Sequence, residues 1–153
     1  MRLFFISLCV LISSCASVYT EIELEHPPQK VWSVLSSIEK YPDWNPVMVY
    51  ADGELKQGNH INYTFRENEE KEYKIRAKVH DLKVDQLINH VGGTYGIISF
   101  DHKYILEPSV AGTKLIHKED YTGIYLLFWD YQKMQDLYEK VNFALKKRLN
   151  ELP

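Results

Sequence analysis

His117 and Glu119 stand two residues apart in a stretch, 113–122, where apolar and charged residues alternate. In an extended strand that spacing puts both side chains on one face. An imidazole and a carboxyl sharing a surface can do two kinds of chemistry. They can exchange a proton with a reacting group as a general acid–base pair, or hold the polar end of a mostly apolar ligand. What surrounds them bears on the choice. One face of the stretch is Thr113, Leu115, His117, Glu119 and Tyr121, and the other is Lys114, Ile116, Lys118 and Asp120. Charge seeks water, so the first set is expected to point inward.

The same reading extends to the neighbouring stretches. Ile98, Phe100, His102, Tyr104 and Leu106 oppose Ser99, Asp101 and Lys103. Tyr73, Ile75, Ala77 and Val79 oppose Lys74, Arg76, Lys78 and His80, while Ile61, Tyr63 and Phe65 oppose Asn62, Thr64 and Arg66. The expected interior is aliphatic and aromatic, with His102, Tyr104, His117, Glu119 and Asn89 as its polar minority. Tyr63, Phe65, Tyr73, Ile75, Ala77, Phe100, Leu115 and Tyr121 supply the walls, and Trp129 stands near the mouth. That is the composition of a pocket for an apolar small molecule with one polar end. His117 and Glu119, helped by Tyr104 and Tyr121, would orient a hydroxyl, carbonyl or carboxyl group of the guest. The alternative is that the same polar groups form a satisfied core network around buried water. A third class, a scaffold that only binds a partner protein, stays open.

Other chemistries are poorly supported. His102, His117 and Glu119 together suggest zinc, but no helix-borne pair of histidines in the usual spacing exists, so no metal is expected. The chain has no Gly-x-Ser-x-Gly, phosphate loop or dinucleotide fingerprint, so no cofactor is expected. The two cysteines are Cys9 and Cys15, which leaves the remainder without a disulfide, a thiol nucleophile or a thiolate site. The 18 basic and 21 acidic residues give a net charge of −3. That balance gives no case for nucleic acid as a partner.

These side chains need elements to position them. A first strand is expected over 18–25, stopped by His26-Pro27-Pro28, then a helix over 29–36 and a short second helix around Tyr41-Pro42-Asp43-Trp44-Asn45-Pro46. Strands follow over 47–52, 60–67, 72–83, 86–94, 97–107 and 113–122, separated by turn residues such as Asp52-Gly53, Gln57-Gly58 and Ala111-Gly112. Short turns between successive strands imply an antiparallel meander. From 126 to 149 the period becomes helical, with Phe128, Tyr131, Met134, Leu137, Tyr138, Val141, Leu145 and Leu149 on one face. The fold class is thus α+β: a curved antiparallel sheet of about seven strands wrapped around a long C-terminal helix, leaving a cavity between them.

The N-terminus addresses location. Arg2 precedes an apolar run of about ten residues, too short to span a bilayer, which takes about twenty. Ile12-Ser13-Ser14-Cys15 resembles the bacterial lipobox. Residues 1–14 are therefore read as a signal peptide and 15–153 as one domain, with Cys15 as the lipidation site. Loss of Arg2 leaves 17 basic against 21 acidic residues, or −4. Ala16 after the cysteine favours the outer membrane in a double-membraned bacterium. Ser14-Cys15-Ala16 also fits a cleavage site releasing a soluble periplasmic protein, and an uncleaved anchor is a third reading. Only Ala16, Ser17 and Val18 separate Cys15 from the expected first strand, a stand-off of about 10 Å.

Several local strings resemble the SRPBCC superfamily, the helix-grip group that includes START lipid-transfer domains, birch-pollen-allergen-like proteins and polyketide cyclases/dehydrases. Leu24-Glu25-His26-Pro27 with Val31-Trp32-Ser33-Val34-Leu35 looks like its opening strand and helix, although His26 replaces the usual small residue. Tyr41-Pro42-Asp43-Trp44-Asn45-Pro46 is similar to its second-helix signature. Leu106-Glu107-Pro108, Gly112-Thr113, His117-x-Glu119 and Gly123 look like its last strands, and Asn142-x-Ala144-Leu145-Lys146-x-Arg148 like its closing helix. The resemblance implies binding, and in some members transfer, of a hydrophobic small molecule or lipid. Its alternative is a cyclase, dehydratase or hydrolase using His117 and Glu119 as acid and base.

Overall fold

The computed structural model describes residues 14–153. The expected signal segment therefore lies, apart from Ser14, outside the described residues. Seven strands form one antiparallel sheet: β1 (Cys15–Leu24), β2 (Met48–Asp52), β3 (His60–Asn68), β4 (Lys71–Lys83), β5 (Leu87–Thr94), β6 (Ile98–Ser109) and β7 (Gly112–Thr122). Their spatial order is β1-β7-β6-β5-β4-β3-β2, so β2 through β7 form a meander and β1 returns to pair with the last strand.

Helix α1 (Pro28–Ser36) follows β1, then a 3₁₀ helix over Ile38–Asp43. Pro28 suits the first helical turn, where an N–H would have no partner. Buried Tyr41 ties the two together by donating its hydroxyl to the Leu35 carbonyl at 2.8 Å. Asn45 then turns the chain into β2, its Oδ1 accepting from the Val47 and Met48 amides. The long helix α2 (Lys133–Glu151) packs across β1 and α1. Its Leu145 and Leu149 are fully buried with Leu24, Leu35 and Leu115. Each such side chain contributes about 1.5–3 kcal/mol through burial.

Two boundaries differ from the sequence reading. β1 begins at Cys15, because Cys15, Ala16 and Ser17 pair with Thr122, Tyr121 and Asp120 of β7. The expected tether is thus part of the sheet. At the other end, α2 begins at Lys133 and not near 126. Residues Ile124–Leu127 form a 3₁₀ turn bound to the β5–β6 turn, with the Ile124 and Tyr125 amides donating to the Gly96 and Ile97 carbonyls. Those bonds hold the chain in a direction that a helix starting at 126 could not follow.

Candidate functional site

The register of β1, β7, β6 and β5 stacks the inward side chains in rows. Thr20, His117, Tyr104 and Ile88 form one row, and Val18, Glu119, His102 and His90 the next. Ala16, Tyr121, Phe100 and Gly92 form a third. Gly92 leaves room for the Phe100 ring, which a Cβ there would meet at 2.6 Å. α2 lays Tyr138 and Asn142, one helical turn apart, over the first two rows.

The hydrogen bonds define the proton positions. Thr20 Oγ1 donates to the His117 carbonyl at 3.2 Å, so it accepts from Asn142 Nδ2 at 2.8 Å. This turns Asn142 Oδ1 toward the ring, where it accepts from His117 Nδ1 at 3.1 Å. His117 Nε2 is left as an acceptor, and His102 Nε2 donates to it at 2.9 Å. Each ring carries one proton. Burial disfavours the charged form of both, pushing His117 down to about 3 and His102 well below the ordinary value. Tyr138 stacks on His117 with centroids 3.9 Å apart and planes within 8°.

Glu119 belongs to a second cluster. Tyr121 and Tyr138 both donate to its Oε2. Oε1 accepts no hydrogen bond from the described residues. Burial, partly offset by the two tyrosine hydroxyls, raises the carboxyl to about 7. Beyond His102, His90 lies within 3.3 Å of the Tyr63 hydroxyl and is lowered to about 4 by burial.

Of the residues expected to line the interior, Tyr63, Phe65, Ala77, His102, Tyr104, Leu115, His117, Glu119 and Tyr121 are buried there. Ile75, Phe100 and Trp129 are half-buried against the cluster containing Phe65 and Tyr121. Trp129 meets Tyr121 edge-on at 5.0 Å. Two residues depart from the expectation. Asn89 lies opposite Lys103, on the outer face, and bonds Asp101 and the His102 carbonyl. Its neighbour His90 takes the inward place. Tyr73 is 48% exposed and donates to Glu67, because β4 runs past the end of β5 and nothing covers it there.

Close contacts join many of these side chains, His117 with Tyr138 and Tyr121 with Trp129 among them. Two clefts of the surface lie elsewhere and include none of the expected lining residues. One of about 620 Å³ lies between α1 and the β4–β5 turn, and one of about 370 Å³ lies beside Trp44 and Arg66. His117 and Glu119 share a face yet do not bond each other, and both His117 nitrogens are occupied. That arrangement leaves His117 no free lone pair for a substrate proton. Among the described residues no three His, Cys, Asp or Glu side chains converge as a metal site. No helix among them is long and apolar enough to cross a membrane.

Sequence reasoning missed Thr20, His90, Tyr138 and Asn142 as members of the polar cluster. One signal for Asn142 was available: an amide on the apolar face of a helix, four residues after a tyrosine, needs a buried partner.

No protein-family model matches the sequence, and no curated protein is detectably similar to it. Solved structures are similar in shape. A Rhodobacter sphaeroides protein superposes with a TM-score of 0.74 at 17% identity, covering 92% of this chain and 99% of its own. A putative uncharacterized Rhizobium leguminosarum protein gives 0.73 at 16% identity, covering 92% and 97%. Ara h 8.0201 gives 0.68 at 14% identity, covering 91% and 100%. With the seven-stranded curled sheet and its closing helix, these likenesses establish that this chain has the birch-pollen-allergen-like helix-grip fold.

Proposed function

We propose that this chain is an SRPBCC-type carrier that holds a hydrophobic small molecule or lipid on the concave side of the sheet, at a membrane to which Cys15 anchors it. The observation carrying this reading is a pair of acceptors that no protein group engages and that are not sealed from water, unlike the fully buried and unpartnered Trp44 Nε1 and Asn45 Nδ2. Glu119 Oε1 has no partner, and His102, having its proton on Nε2, keeps Nδ1 as an acceptor. Glu119 and His102 lie directly opposite each other on β7 and β6 and keep 6% and 8% exposure. His102 Nδ1 accepts, and Glu119 Oε1, its carboxyl raised to about 7, accepts or donates, so a hydroxyl, which does both, on an otherwise apolar molecule fits best. His117 then serves as a positioning residue that orients His102. The half-buried Ile75, Phe100 and Trp129 are the side chains that would move aside for the guest. Catalysis fits less well, because His117 is saturated and only Glu119 is free to transfer a proton.

The anchor reading rests on the lipobox-like string and on the exposed position of Cys15. It implies export, with the outer membrane favoured in a double-membraned bacterium. Intact mass of the protein from its own host tests the acylation. Native mass spectrometry of the same preparation tests the carrier: a bound apolar molecule bearing a hydroxyl is expected, and Glu119→Leu should reduce its occupancy. A preparation that carries none, and takes up no added long-chain alcohol, overturns the reading.

A further inference from the structure

We propose that the apolar surface made by Tyr95, Ile97, Ile124, Tyr125, Leu127 and Phe128 seats on a lipid bilayer beside the Cys15 anchor. The proposal rests on the anchor reading above and adds the orientation of the domain. Tyr95 is 98% exposed and Phe128 82%, and the other four are each about half exposed. Grouped apolar exposure of this kind marks an interaction surface. The surface is rigid. Ile124 and Tyr125 donate to the Gly96 and Ile97 carbonyls at 3.1 and 3.0 Å, and Cys15 pairs with Thr122 at the end of β7. One small region therefore joins the β5–β6 turn, the turn after β7 and Cys15.

The occupant follows from that junction. Cys15 is already in register with Thr122, so an acyl group on its sulfur has no slack below it. One extended residue spans only about 3.3–3.6 Å, so the neighbouring turn must meet the headgroups if the acyl chains enter the bilayer. Its exposed Tyr95 and Tyr125 are of a type that favours the interface, where an amphipathic ring has one wet and one apolar side, and Phe128 adds an apolar ring to enter the acyl boundary. The same end of the sheet carries the β3–β4 turn, where Glu67, Glu69, Glu70 and Glu72 outnumber Arg66 and Lys71, and Arg66 pairs with Glu72 at 2.8 Å. The excess of negative charge opposes an anionic surface, so the fitting partner is a zwitterionic one. The half-buried Phe100 and Trp129 lie at this end too, so a guest would pass between site and membrane without crossing water.

The test uses the acylated mature protein, residues 15–153, in phosphatidylcholine/phosphatidylethanolamine vesicles with brominated acyl chains. Phe128→Trp and Tyr95→Trp place reporters on the surface, and Val110→Trp places one on the β6–β7 turn at the opposite end. Relative to Val110→Trp, the two surface reporters should shift to the blue and lose roughly half their emission to bromine, the depth expected of an interfacial ring. Added phosphatidylglycerol should weaken that quenching. Equal quenching at both ends overturns the proposal, as does protection of the surface reporters by dimer formation. If the mass shows no acyl group, vesicles added to the same protein still decide the surface, and only the anchor reading falls. An acylated protein with unquenched reporters leaves the anchor standing and removes the orientation.

Discussion

His102 and His117 meet Nε2 to Nε2 at 2.9 Å inside the sheet, one as donor and one as acceptor. Two protonated rings could not approach this way, since both nitrogens would carry hydrogen. The geometry excludes the doubly charged pair, and burial disfavours a charge on either ring. Nitrogen-15 NMR should show an Nδ1–H tautomer for His117 and an Nε2–H tautomer for His102 at pH 7. The His117 ring should remain uncharged until the pH approaches about 3. Titration near the ordinary 6.5 would contradict the arrangement.

Asn142 is the joint between helix and sheet. Its amide accepts from His117 and donates to Thr20. Asn142→Leu leaves a buried ring N–H and a buried hydroxyl without their partner, and should cost about 1–3 kcal/mol in urea unfolding. Adding Thr20→Val should cost less in that background than in the parent, because the hydroxyl has already lost one bond. Strict additivity of the two would show that they do not act as one network.

Glu119 makes stability depend on pH in a direction opposite to the histidines. Its folded value of about 7 exceeds the ordinary 4.5, so between these values the folded chain binds more protons than the unfolded. Its contribution is fully present below about 4.5 and is lost as pH rises through 7. His117, at about 3 against 6.5, is neutral in both states above 6.5 and loses stability as pH falls from there toward 3. Glu119→Gln should remove the decline between pH 5 and 8, a difference of about 3 kcal/mol at most. An unchanged profile in the variant would place the proton elsewhere.

Gly123 permits the seating of the turn after β7. Its φ is +135°, and a Cβ would fall 2.2 Å from the Ile97 carbonyl oxygen. Gly123→Ala should cost about 2–3 kcal/mol and speed hydrogen exchange at the Ile124 and Tyr125 amides, whose bonds to the β5–β6 turn would open. Retained protection at both amides would mean the turn is held by other contacts.

Alternation of charge with apolar residues over 113–122 was enough to turn His117 and Glu119 inward, because a buried lysine or aspartate is far costlier than a buried leucine. The order of strands and helices was equally legible, since period and turn chemistry are local. The partners of the inward groups were not. β5 runs Leu87-Ile88-Asn89-His90-Val91 without alternation, so its parity was set only by pairing His90 with His102, which put Asn89 on the other face, where it is buried at 2% exposure against Asp101. Tyr73 has the right parity but stands where β4 outruns its neighbour, and cover is a property of the assembled sheet. Tyr138 and Asn142 lie 19 and 25 residues from the groups they bond, and the packing of α2 on β1 brings them there. Local sequence thus determined the parity of the alternating strands, because charge keeps to water, and tertiary register and cover decided which inward side chains are sealed and which share a proton.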